Sequence, residues 1–198
     1  CRIGAKPFDK GTILLNGYDV KKEPLEAKAS FGYVASEPNC YGVRTGWEYL
    51  DFIASIYKVD ENDFQKNVNY LAKRLALTND DLKKKTEGYS HGRKQKLCLI
   101  ASLLHKPDIW ILDEPTVGLD IMGVEALTAR RKEYAKAGRL VFLTSHNIDL
   151  VSSLCDRVGI VNNGHVEHRL DFNADPDYRI QLKNIFFTTY QRKEERDA

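Results

Sequence analysis

Two short apolar runs, "IWILD" from Ile109 to Asp113 and "LVFLTS" from Leu140 to Ser145, stand on either side of a helical stretch from about Met122 to Lys136. Brief runs of branched and aromatic residues read as strands buried in a parallel sheet, and Gly138 is suited to end the helix between them. Parallel strands need a crossover, so this strand-helix-strand unit commits the chain to an α/β fold.

The rest of the pattern is built around that unit. "GTILLNGYDV" carries the Asn16-Gly17 hairpin signal, and "KASFGYVASEP" predicts another strand that stops before Pro38. From Trp47 the apolar residues Tyr49, Phe52, Ile53 and Ile56, then Val68, Leu71 and Leu75, fall at helical spacing. They predict a helical insert from about Trp47 to Lys85. Leu97, Ile100, Ala101 and Leu104 share one face of a helix expected to begin near Arg93 and to end before Pro107. A helix around Asn147 to Leu154, a second Asn-Gly hairpin in "RVGIVNNGHVEHRL" and an amphipathic tail, "YRIQLKNIFFTTYQ", complete the chain.

A length of 198 residues makes one well-buried domain the default. The net charge of +2, with basic residues spread along the chain, argues against a nucleic-acid partner. Every run free of charged residues is far shorter than the roughly twenty apolar residues of a membrane-spanning helix. The chain starts at Cys1, without a signal peptide, and reads as the interior of a longer protein. Cys1, Cys40, Cys98 and Cys155 are widely spaced, with no C-x-x-C pair, and read as reduced thiols in a cytosolic protein. His165 and His168 read as solvent-facing hairpin residues, and Lys83 to Lys85 as a solvated helix end.

The chemistry is concentrated where "IWILD" ends. Asp113 and Glu114 are adjacent carboxylates followed by Pro115, at the kind of strand end where α/β sheets bind ligands. The bland reading is that Asp113 caps the next turn and Glu114 is solvated. "YSHG", Tyr89 to Gly92, precedes a helix, so a hydroxyl, a glycine backbone and helix N–H groups converge as an anion site. No G-x-x-x-x-G-K-[ST] loop is spelled anywhere in the chain.

"YSHGRKQKL", then "LLHKPDIWILDEPTVGLD", then "TSHNIDL", resembles the signature, Walker B, D-loop and H-loop succession of the ABC ATPase family. The similarity runs from "KPFDKGTILLNGYDV" to the second hairpin, and "RTGWEYLDFIASIYK" adds a likeness to bacterial ABC-2-type exporters. It implies an α/β P-loop NTPase core with a mostly parallel sheet, a helical subdomain at about 39–92 and a C-terminal tail at about 171–198. It also implies ATP and magnesium as cofactors. Asp113 would bind the metal, Glu114 would act as general base, and His146 would contact the γ-phosphate. Ser90 and Gly92 would close on ATP held by a partner domain, with Asp120 in the loop that joins the two domains and Ser36 in the loop after "FGYVA".

For the whole protein the resemblance implies an ATP-hydrolysing subunit that powers export through a transmembrane permease, paired with a second ABC ATPase. It would be cytoplasmic and peripheral on the inner face of the cell membrane. The alternative is a non-hydrolysing half-site that only completes a partner's ATP site. The unspelled phosphate loop leads to the expectation that the chain lacks the family's N-terminal Walker A part and is inactive alone. Three positions depart from the family pattern: Ser36 stands where a glutamine is expected, His91 where glycine is frequent, and Arg93 where glutamine or methionine is usual.

Overall fold

The computed structural model describes residues 8, 10–40 and 42–197, with side chains through residue 190. The chain divides into two compact units, one up to Thr144 and one from Ser145 onward.

The first unit opens on a hairpin, β1 (Leu14–Leu15) against β2 (Tyr18–Asp19). Its turn residues Asn16 and Gly17 both have positive φ, 50° and 88°, which is why Asn-Gly is the favoured pair there. Helix α1 (Pro24–Ala29) leads into strand β3 (Phe31–Val34). Then come α2 (Gly46–Ile56), α3 (Glu61–Arg74) and α4 (Asn79–Lys83), each started by a side-chain cap from Thr45, Asp60 or Thr78. A 3₁₀ turn, Thr86–Gly88, leads to α5 (His91–Leu103). Strand β4 (Ile109–Asp113), α6 (Ile121–Lys136) and β5 (Leu140–Thr144) close the unit. Helix α5 starts earlier than Arg93 because Ser90 caps it, and a cap precedes the first apolar residue of the periodic face.

The three strands form a parallel sheet in the order β3-β4-β5, with Val34 opposite Leu112 and Asp113 opposite Thr144. Side chains alternate between its faces. Val34, Trp110 and Leu112 join the main core with Leu97 and Ile100 of α5, with Leu104 just past its end and with Leu127 and Tyr134 of α6. The opposite face carries Tyr33, Leu140 and Phe142, which are 40%, 50% and 38% exposed. Apolar runs of this kind predict burial on both faces, and the described residues depart from that. The strand order supplies the reason: successive right-handed crossovers that advance in one direction deliver their helices to one face.

Helix α5 is the centre of the core. Leu97, Leu99 and Ile100 are fully buried, and the Trp110 indole donates to Ser102 Oγ at 2.9 Å. Strand β3 comes so close that its Gly32 backbone packs on the Ser102 carbonyl.

In the second unit, α7 (Ile148–Leu154) precedes the antiparallel hairpin of β6 (Arg157–Asn162) and β7 (His165–Asp171), followed by α8 (Asp177–Asp197). Ile160, Leu170, Phe172 and Leu182 form its core. His165 and His168 both lie exposed on β7. Among the described residues no helix is long and apolar enough to cross a membrane.

The β3–α5 contact is testable. A Cβ at position 32 overlaps the Ser102 carbonyl, which is backbone and cannot rotate away. Gly32→Ala should cost about 1–3 kcal/mol, the usual range for overpacking, read as a lower urea midpoint at unchanged slope. An unchanged midpoint would show that the two elements separate freely.

Candidate functional site

Parallel pairing makes β3 and β4 leave the sheet at the same edge. Asp113 ends β4 there, and Ser36, half-buried, follows β3 on the same side. The Thr144 hydroxyl, directly opposite on β5, donates to Asp113 Oδ1. Tyr33 lies on the same face as Asp113, and its phenol is pushed above its ordinary value first by burial and then by the Asp113 charge. The Glu114 N–H donates to the Thr144 carbonyl at 3.1 Å, extending the ladder by one bond. Glu114 itself is left-handed, with φ of 46°, which costs a non-glycine residue about 1–2 kcal/mol. Unusual backbone of this kind collects at functional sites.

The second component is the start of α5. Ser90 is extended and accepts the Arg93 N–H, and no acidic residue occupies the first helical turn. Arg93 reaches back to Asp81 of α4 at 3.3 Å. Asp81's carboxyl is held below the usual carboxylate range, first by the Thr78 hydroxyl and with a smaller contribution from Arg93. The positive end of the helix therefore faces outward without a carboxylate of its own.

One stripe of α5 holds the loop that follows β4. A side chain at Gly92 would run into the Gly118 carbonyl, and one at Gly118, where φ is 77°, would run into the His91 ring. Gln95 donates to the Pro115 carbonyl at 3.3 Å. Lys96, largely buried, pairs with Asp120 at 3.2 Å, and Asp120 also caps α6 by accepting the Gly123 N–H at 2.9 Å. His91, Gly92, Gln95 and Lys96 share this side because residues four apart stack on a helix.

The structure thus brings Gly92 and Asp120 together around the loop from Glu114 to Asp120, with Ser90 at the start of the same helix, and sets Asp113 beside Thr144 and Tyr33. His146 belongs to the second unit, in the bend before Asn147, which caps α7. Sequence reasoning missed Tyr33, Gln95, Lys96 and Thr144. Strand register could have indicated Thr144 and Tyr33, but a buried Gln-Lys pair inside a helix gives no signal of its loop partner. Asp113 with the Thr144 hydroxyl is a hard-oxygen donor set of the kind magnesium takes, and the Ser90 helix start fits a phosphate.

Known proteins resemble this chain over most of its length. The family model described as ABC transporter matches residues 3–117. The linearmycin resistance ATP-binding protein LnrL of Bacillus subtilis is 34% identical over 82% of this chain, which spans 52% of that protein's length. The ABC transporter ATP-binding protein NatA of the same organism is 29% identical over 92% of this chain and 75% of its own length. A solved ATP-binding subunit of an ABC transporter superposes with a TM-score of 0.78 at 28% identity, covering 88% of this chain and 71% of that one. The family match corrects one expectation. It begins at residue 3, ahead of the first hairpin, and so overturns the reading that the N-terminal Walker A part is lacking. That reading rested on one strict spelling, whereas a family model weighs the whole succession of apolar and turn positions. Residues 1–7 lie outside the described residues.

The Lys96–Asp120 pair carries a pH signature. The hydrogen bond from Lys96, and then that from the Gly123 N–H, hold the Asp120 carboxyl below its ordinary value. Its contribution to stability is complete above the range in which a free aspartate ionises and is lost as pH falls through the depressed value. Asp120→Asn keeps the cap and removes the charge. The melting-temperature difference between the native chain and Asp120→Asn should therefore move against the native chain on acidification. A difference independent of pH would show that the pair contributes nothing.

Proposed function

This chain belongs to the ABC transporter family, and from that premise we propose that it is the nucleotide-binding part of an exporter, hydrolysing ATP to drive a membrane permease. One observation supports this reading best: α5 presents Ser90 and Gly92 while the same helix holds, through Gln95 and Lys96, the loop that runs from Glu114 to Asp120. Elements that would face two different nucleotides are thereby tied into one rigid piece. A second ABC ATPase subunit fits the outward-facing start of α5, whose first turn carries N–H groups and no acidic residue. The family association with a permease supports a position on the inner, cytoplasmic face of the membrane. Export is favoured by the relative named for linearmycin resistance, a role that outward transport would serve.

In this reading Asp113, its carboxylate oriented by Thr144, would hold magnesium, which would screen the phosphate charge. Glu114 accepts the proton of the attacking water, and its left-handed backbone directs the side chain away from the strand's own alternation. The family resemblance assigns His146 to the γ-phosphate. Ser90 and Gly92 donate to the partner's nucleotide. Asp120 transmits closure between subunits through Lys96, and Ser36 lies in the loop that senses the permease. Serine is shorter than the glutamine expected there and would not reach the metal as a glutamine does.

Two substitutions test this in the intact protein. Glu114→Gln should preserve ATP binding and lower turnover by about 10²–10⁴, the usual contribution of a general base, with ATP-bound dimers accumulating. Native turnover in that variant would remove Glu114 from the role. In a mixed dimer, Ser90→Arg in one subunit should abolish nucleotide trapping only at the site facing the altered helix. Equal trapping at both sites would refute the shared-site reading.

A further inference from the structure

Cys40 and Cys98, far apart in sequence, meet in the fold. Their sulfurs are 3.4 Å apart, with Cys40 buried and Cys98 half-buried on α5. A disulfide needs about 2 Å, and each sulfur is carried on a single rotatable bond, so the two thiols are close to bonding distance.

The Cys98 thiol is held below its ordinary value, first by the hydrogen bond from Cys40 and then by the Tyr49 hydroxyl and the Asn39 backbone, against the effect of burial. The Cys40 thiol is pushed up by the same hydrogen bond and by its burial. The pair is therefore asymmetric: the shared hydrogen bond favours the thiolate at Cys98, and Cys40 keeps its proton. The surroundings also matter. The Cys40 carbonyl accepts the Thr86 hydroxyl at 3.0 Å, Gly42 accepts the Glu87 N–H at 3.1 Å, and the Cys40 thiol lies 3.7 Å from the Lys94 carbonyl. The segment that begins at Cys40 thus touches the chain on both sides of Ser90.

We propose that Cys40 and Cys98 form a peroxide-oxidisable dithiol whose disulfide clamps the segment after β3 to the helix that presents Ser90 and Gly92. The Cys98 thiolate attacks one peroxide oxygen, breaking the O–O bond; the other oxygen leaves as hydroxide, takes a proton and becomes water. Cys98 is now a sulfenic acid. The Cys40 sulfur attacks the Cys98 sulfur, forming the S–S bond, while its proton and the sulfenic hydroxyl leave as a second water. Each sulfur gives up one electron and the peroxide takes both. This chemistry needs no nucleotide, and its test is separate from that of ATP hydrolysis.

The experiment treats the full native chain with hydrogen peroxide and maps its peptides by mass spectrometry, beside a sample in denaturant that shows the dose oxidises these cysteines. The expected result is a peptide pair joined through Cys40 and Cys98, lighter by two hydrogens, restored by dithiothreitol and absent from Cys98→Ser. Cys40→Ser should instead retain a sulfenic acid at Cys98 that a 1,3-diketone probe labels. The folded disulfide form should melt at a higher temperature than the reduced form, because the bond restricts the unfolded chain. A folded chain that keeps both thiols, a terminal sulfinic acid at Cys98, or a bridge to Cys1 or Cys155 would each overturn the proposal.

Discussion

The burial of α5 against β4 is the contact on which the first unit depends. Trp110, 1% exposed, donates to Ser102, and Ser102 donates in turn to the Leu99 carbonyl at 2.9 Å. Without Ser102 the indole N–H would bear the cost of a lone polar group in a core, so strand and helix are held in one register. Tyr134 of α6 packs on the same indole at 5.6 Å between ring centroids and donates to the Pro107 carbonyl just ahead of β4. Helices on both sides of the strand in sequence are thereby locked to it on one face.

That lock decides where the chemistry lies. Because α5 is fixed along its length, its exposed start is fixed too, and Ser90 and Gly92 are held on a rigid element. Its buried polar residues, Gln95 and Lys96, find partners in the loop after β4. A burial cost is thus turned into a positioning device, since Gln95 and Lys96 lose these partners if the loop moves away. The glycines at 92 and 118 permit the close approach that makes those contacts short.

The same helix links the site to the helical segment. Arg93 reaches Asp81, Cys98 reaches Cys40, and His105, past the helix end, contacts the Phe31 carbonyl at 3.1 Å and stacks on Tyr57 at 3.8 Å between centroids. Burial lowers the affinity of His105 for a proton. The segment carrying α2 to α4 thus meets α5 near both of its ends.

The element types were legible in the residues themselves. Asn-Gly turns at 16 and 163 and apolar runs at 109 and 140 act over a few residues, and local rules describe them well. The acidic pair Asp113-Glu114 and the Ser90-Gly92 start were legible for the same reason: their spacing is local. What only the tertiary structure decided was long-range. The open face of the sheet follows from strand order, which periodicity does not specify. The Lys96–Asp120 pair, the Gly92–Gly118 approach and the Cys40–Cys98 contact join segments through the packing of α5, and nothing in either partner's neighbourhood in the sequence indicates the other. Local chemistry determined which groups this chain has; the burial of one helix determined which of them meet.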